Sequence, residues 1–203
     1  MTAVLPDHEA WLTRAGRVHV RGGRSEDVAA TRSLHERLSP WSRYLRYFTG
    51  APNVERSIGR LLRPPDETHE TVIALIDREI VAVACYERLD DPRLAEVAFL
   101  VDEGHHGQGL ATLLLAELVN VARARGVHRF VAEVLPSNSG MLSVFRDIGL
   151  RTEVSSGTDS VHIEIPLDDE PWALHGWPDL AQSVLDPSRV REHSGATRRN
   201  RPC

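Results

Sequence analysis

Residues 101–118, VDEGHHGQGLATLLLAEL, constrain the fold more than any other stretch. An apolar run ends at Val101, a short loop rich in Gly and His follows, and a strongly apolar helical run begins near Leu110. Gly107 and Gly109 fall where the chain turns into that helix. Glycine there lets backbone N–H groups approach a ligand with no Cβ in the way. The helix N-terminus adds unpaired donors and a partial positive charge. The pattern predicts an anion site, most naturally for a phosphate or pyrophosphate. An ordinary glycine-containing loop has the same local pattern, so the rest of the chain has to decide.

Three strand-like runs lead into the loop, at 71–76, 79–87 and 93–101. Asp77-Arg78 and Asp90-Asp91-Pro92 separate them as tight turns, which makes the three antiparallel neighbours. The middle one contains IVAVACYE, almost continuously apolar, as a central strand should be. Downstream, Leu110, Leu113, Leu114, Leu118 and Val121 share one helical face, and Gly126 ends the helix. A strand at 129–135 follows. Pro136-Ser137-Asn138 then opens a helix with core face Met141, Leu142, Val144, Phe145 and Ile148, capped by Gly149. Strands at 151–154 and 161–165 complete the domain. The strand–helix–strand unit from 93 to 135 should be parallel with a right-handed crossover.

Ahead of these runs lie a strand at 18–21 and a helix capped by Ser25, with Val28, Thr31, Leu34, His35 and Leu38 at helical spacing. A second helix, WSRYLRYF, places Trp41, Leu45 and Phe48 on one side with Tyr44 and Tyr47 nearby. A third helical piece spans 54–62. The aromatic residues are expected chiefly to pack in the core, with a substrate-pocket wall as the alternative. The expected fold is α/β (α+β), a mixed, mostly antiparallel sheet flanked by helices, with the anion loop at the carboxyl end of a strand, where α/β ligands bind. The 203 residues suit one domain at 17–167, a flexible leader at 1–16 and a partly disordered tail at 168–203. Trp172 and Trp177 in that tail are expected to dock on the domain.

The composition narrows the function. A net charge of −5 gives no support for a general nucleic-acid surface. No apolar run approaches the roughly 20 residues a membrane span needs. The first residues lack the basic and apolar blocks of a signal peptide, so a cytoplasmic protein is expected. Two cysteines make no disulfide framework. The ten histidines show neither HExxH nor paired Cys/His spacing, so no metal is expected. All 24 basic residues are arginine. With no lysine there is no GxxxxGK[ST], which excludes a P-loop nucleotidase, and no GxGxxG follows a strand.

His106-Gly107-Gln108-Gly109-Leu110-Ala111 resembles the [Q/R]xxGx[G/A] acyl-CoA loop of the GNAT N-acetyltransferases. Asn138, Phe145 and the pair Gly149-Leu150 resemble the N-x6-Y-x3-GF segment of that family. The strings RLAEVAFLV, RFVAEVLPSN and MLSVFRDIGL are similar to the Pat-type protein lysine acetyltransferases of bacteria. The resemblance covers about residues 18–167. It implies a GNAT-type sheet whose parallel pair splays around the acyl-CoA site, with acetyl-CoA as co-substrate. It also implies backbone pairing of the pantetheine arm with Phe99, Leu100 and Val101. Amides from Gly107 to Thr112 would hold the pyrophosphate, and Asn138 and Phe145 would border the thiol. His106 stands where the family has Gln or Arg, which a backbone-built loop tolerates. Phe145 replaces a Tyr that many members use as an acid toward the leaving thiolate, so thiolate release is expected without that acid. Family members often carry a fused nucleotide-binding or synthetase-like module. None is expected here, although residues 183–199 resemble the start of one.

A thioester is attacked only by a neutral amine, and a lysine ε-amine has a pKa near 10.4, so a base or water relay is needed. Leu94, Glu96, Ala98 and Leu100 alternate onto one face of their strand. A carboxylate buried among apolar neighbours would gain basicity, which makes Glu96 the candidate catalytic base. The resemblance agrees, since Pat-type members carry their catalytic Glu in the same AEVAF context. Glu133 on the next strand is the rival. Asp102, Glu103, His105 and His106 are expected to be solvated loop residues. The expected activity is acetyl transfer to protein lysines, acyl-CoA synthetases being the family's substrate class. The alternatives are acetylation of a small amine and a non-catalytic acyl-CoA sensor.

Overall fold

Asp77 and Arg78, the turn between two of the expected strands, both adopt positive φ, 49° and 70°. That conformation suits the right-handed twist of a two-residue hairpin, and Ile76 and Glu79 flank it as a pair. It is one link in a single eight-stranded sheet in the computed structural model, which describes residues 5, 7–49, 52–147, 153–156 and 159–167. The strands are β1 (His8–Leu12), β2 (Gly16–Gly22), β3 (His69–Ile76), β4 (Glu79–Arg88), β5 (Leu94–Val101), β6 (Arg129–Val134), β7 (Glu153–Ser156) and β8 (Val161–Pro166). The helices are α1 (Val28–Arg37), α2 (Pro40–Tyr47), α3 (Val54–Leu61), α4 (Leu110–Ala124) and α5 (Ser139–Asp147). The spatial order is β1-β2-β3-β4-β5-β6-β8-β7, antiparallel throughout except for the parallel pair β5–β6.

The two faces of the sheet have separate cores. Val72, Ala74, Ala84, Val97 and Phe99 pack with Leu113, Leu114 and Leu118 of α4 and with Phe145 of α5. On the other face, Leu34 and Leu38 pack with Ile73, Ile80, Val83 and Leu100. Burial of each Val, Leu, Ile or Phe side chain among them is worth about 1.5–3 kcal/mol. A register shift in β3–β4 lets both Val81 and Ala82 join the α4 side, which is why β4 reads as continuously apolar. The Val81 carbonyl accepts the Asp102 N–H at 2.8 Å. Gly126, at φ +78°, follows α4 as expected.

Two expectations need correction. Residues 1–16 are not simply a loose leader, because β1 pairs along its length with β2, from His8↔Val20 to Leu12↔Gly16. Ala10 and Leu12 are buried while Trp11 projects outward 62 % exposed, and that outward tryptophan breaks the polar–apolar alternation a sequence reading relies on. Ser25 does not cap α1; Asp27 stands just before that helix, and its side chain makes no capping bond to it. Residues Ser25–Asp27 form a 3-10 turn, and the Asp27 carboxylate accepts the Arg24 N–H at 2.8 Å. It also takes two bonds from the buried Arg21, each 2.8 Å. The tail at 168–203, Ile148 and Gly149 lie outside the described residues.

Candidate active site

The loop after β5 is set up by its two glycines. Gly107 and Gly109 have φ of +69° and +89°, a region side-chain-bearing residues rarely enter. Leu113 N–H makes the first ladder bond of α4, to the Gly109 carbonyl at 3.0 Å. The N–H groups of Leu110, Ala111 and Thr112 precede that ladder, at the positive end of a 15-residue helix. Side chains fold back to hold the loop. His106 Nε2 bonds the Val101 carbonyl at 3.1 Å, and Gln108 bonds His105 at 3.0 Å and the Gly104 carbonyl at 3.1 Å. Two residues from the supposed leader brace it as well. Arg14 donates to the Gly107 carbonyl at 3.1 Å, and the Leu12 side chain lies 3.9 Å from where a Cβ on Gly109 would be.

Beside this loop the sheet opens. β5 and β6 pair only over Leu94↔Arg129, Ala95↔Phe130 and Glu96↔Val131. Beyond Glu96, β5 still pairs with β4 on its other edge as far as Val101. Its edge toward β6 is therefore free from Val97 onward, an open row of backbone donors and acceptors inside a sheet. A cavity of about 720 Å³ fills the gap. The structure brings to it Glu96, Phe99, Leu100, Val101, His106, Gly107, Gly109, Leu110, Ala111, Thr112, Asn138 and Phe145, while Gln108 turns away from it. Asn138 Oδ1 accepts the Met141 N–H at 3.1 Å and so caps α5. Phe145 is buried and meets Phe99 edge-to-face, ring centres 5.9 Å apart. An extended ligand with an anionic end fits this chemistry, with free strand edge along its length and helix-terminal N–H groups at its end. Among the described residues no group of three or more His, Cys, Asp or Glu is placed to hold a metal.

The opposite wall comes from α2 and its flanking residues Leu38 and Phe48. Contrary to the expected core role, α2 has no buried residue, and Trp41, Tyr44 and Phe48 are exposed. Its inner side, Ser42, Leu45, Arg46 and Tyr47, lines the cavity. Two ties hold it. Tyr47 Oη bonds His35 Nε2, whose Nδ1 bonds the Thr31 carbonyl at 2.8 Å. A carbonyl only accepts, so Nδ1 carries a proton. Burial lowers the His35 pKa and keeps the ring neutral, so Tyr47 is the donor to Nε2. At the other end Glu103 accepts the Ser39 N–H at 2.8 Å, and hydrogen bonds from Ser39 and Ser42 hold its carboxyl down to about 2. Arg37 pairs with Asp102 at 2.7 Å. Asp102 and Glu103, expected as solvated loop residues, instead fasten the loop to the helical wall.

Glu96 lies at the last paired position before the strands part. It is exposed rather than buried among apolar residues, because the helices above leave that end of β5 uncovered. Glu133 also borders the cavity. It accepts from Ser160 at 2.5 Å and pairs with His162 at 2.6 Å, contacts that hold its carboxyl below the usual range and raise His162. A carboxylate stabilised in its charged form is the weaker base.

This geometry has close counterparts. The GNAT domain of the Streptomyces lividans PAT superposes with a TM-score of 0.72 at 31% identity, over 79% of this chain and 96% of that one. Acetyltransferase Pat of Mycolicibacterium smegmatis is 30% identical over 98 residues, 47% of this chain and 28% of that protein. The chain thus spans little more than a quarter of that curated relative. YncA of Salmonella typhimurium, solved with its cofactor acetyl-CoA, shares the fold at a TM-score of 0.57 and 16% identity. Residues 31–150 match the acetyltransferase (GNAT) family. With the family's match spanning the glycine loop, the parted strands and α5, the chain belongs to the GNAT family and is an N-acetyltransferase.

Proposed function

We propose that this enzyme moves the acetyl group of acetyl-CoA to the ε-amine of a lysine on a protein, with Glu96 as general base. The observation that carries the reading is the place of Glu96, water-accessible at the head of the gap between β5 and β6. Acetyl-CoA supplies an activated acyl group as a thioester. The chain's own residues bind it, orient it and take the proton. Amides of Gly107 to Thr112 meet the pyrophosphate, and the free edge of Phe99, Leu100 and Val101 takes the pantetheine arm, with Asn138 and Phe145 at its end. The amine nitrogen bonds to the acyl carbon, the C–S bond breaks, and the nitrogen's proton passes to Glu96 directly or through water.

Phe145 offers no proton to the departing sulfur. Tyr47, the tyrosine in the lining, is committed as a donor to His35. The thiolate therefore leaves without a side-chain acid, helped by its own modest basicity. Similarity to the Pat proteins supports a protein acceptor, acyl-CoA synthetases among the candidates. Incubation with labelled acetyl-CoA and a protein extract should place label on lysines. Glu96→Gln should lower turnover by about 10² or more while acetyl-CoA still binds. Near-normal turnover in that variant would remove Glu96 from the chemistry.

A further inference from the structure

Arg46 and Arg43 of α2 differ from the arginines around them, and of the two Arg46 is the one that lines the cavity, Arg43 bonding the Glu36 carbonyl instead. Arg32, Arg37 and Arg60, which belong to or flank the same helical layer, each hold a carboxylate, on Glu55, Asp102 and Glu87 at 2.7, 2.7 and 2.6 Å. Arg46 is half-buried in the cavity wall, yet no carboxylate pairs with it among the described residues. Its guanidinium lies over the Tyr47 ring, 5.0 Å from guanidinium carbon to ring centre. Since Tyr47 is fixed by His35, that ring gives the guanidinium a stationary platform. A partly desolvated cation without a counter-charge is costly to keep, and a planar guanidinium is shaped to take a carboxylate through two parallel bonds.

Its element differs from those that build the donor anion site. Arg46 lies on α2, which packs against β5, and it lines the cavity together with Glu96. The pyrophosphate cradle belongs to the loop after Val101 and the start of α4, five residues and about 17 Å of strand beyond Glu96. Arg46 is therefore read as part of the acceptor side of the cavity.

We propose that Arg46 is a carboxylate-reading subsite for the acceptor, so that the preferred amine carries a carboxylate close to it. The source is an Asp or Glu flanking the target lysine in a protein, or the free carboxylate of a small amine. The inference rests on the reading of this cavity as the acetyl-transfer site. The amine is drawn toward Glu96 and the carboxylate toward Arg46, which fixes the direction in which the acceptor enters.

The test is a panel of lysine peptides that differ only in Asp, Gln or Arg beside the lysine, with small amines bearing or lacking a carboxylate. Wild type, Arg46→Gln, Arg46→Glu and Arg46→Lys are compared, with acetyl-CoA Kd and thermal melts as controls. In wild type, kcat/KM should favour the carboxylate-bearing acceptor about tenfold, mainly through KM. Arg46→Gln should level the panel, Arg46→Glu should reverse it, and Arg46→Lys should restore part of the preference. A preference among small amines alone would remove the protein-lysine reading and keep the subsite. An unchanged ranking in all four enzymes, or a weakened acetyl-CoA Kd in Arg46→Gln, would overturn the subsite. Turnover on no amine would overturn both readings.

Discussion

The two walls of the cavity are built on different principles. The donor wall is backbone: two positive-φ glycines, three helix-terminal amides and the free edge of β5, backed by α4 with its many buried leucines. The acceptor wall is side chain: Glu96, Glu133 with His162, Tyr47 with His35, and Arg46, carried partly by α2, which buries no residue at all. A backbone wall suits a ligand that never changes, since its donors are set by conformation and rigid packing. A side-chain wall on a lightly packed helix suits a partner that differs between relatives, because single substitutions retune it without disturbing the core.

Substitutions on the two walls should therefore part along different kinetic axes. The largest expected effect is the hundredfold or greater fall in kcat for Glu96→Gln, with acetyl-CoA Kd unchanged by calorimetry. Its donor-side mirror is Gly109→Val. A β-branched residue at φ +89° is strained by about 1–3 kcal/mol and crowds the amides. Acetyl-CoA Kd should rise about tenfold or more, while kcat at saturating donor stays within a fewfold; a collapse of kcat with Kd intact would merge the two walls into one. Smaller still is Glu103→Ala, which frees the N-terminus of α2. Acceptor KM should rise about threefold, with donor Kd nearly constant. The folded Glu103 carboxyl is depressed to about 2, so the stability linked to its tie is full above the ordinary 4.5 and is lost progressively as pH falls from there through about 2. The mildest effect is at His162, whose pKa is raised by the hydrogen bond with Glu133. Its contribution is full below 6.5 and fades as pH rises through the higher folded value. NMR titration should place its midpoint above 6.5, and Glu133→Gln should bring it down.

The donor wall was legible in the sequence because its signals are local. A glycine demanded by positive φ, a helix beginning within a few residues and an Asn before α5 can each be read in a short window. The acceptor wall was legible only in part. Strand alternation gave the face on which Glu96 lies, but alternation does not report what covers a face, and the expected burial of Glu96 failed for that reason. The aromatic spacing of α2 matched a core helix, yet Trp41, Tyr44 and Phe48 are exposed among the described residues. The brace from Arg14 to Gly107 joins residues 93 positions apart, and the buried pair of Arg125 with Glu70 joins residues 55 apart. No periodicity marks such contacts, since only the assembled sheet brings them together.

One property of the ion pairs has a practical consequence. From the buried Arg21–Asp27 to the exposed Arg93–Asp91, their cations are arginine or histidine, in a chain without a single lysine. An acyl donor that neutralises ammonium groups finds no internal ε-ammonium whose loss would unfasten this scaffold. At the bench the same fact removes a background signal. Any ε-acetyl-lysine recovered from a reaction mixture was contributed by another molecule, and amine-directed labels or cross-linkers will pass over every side chain of the enzyme itself.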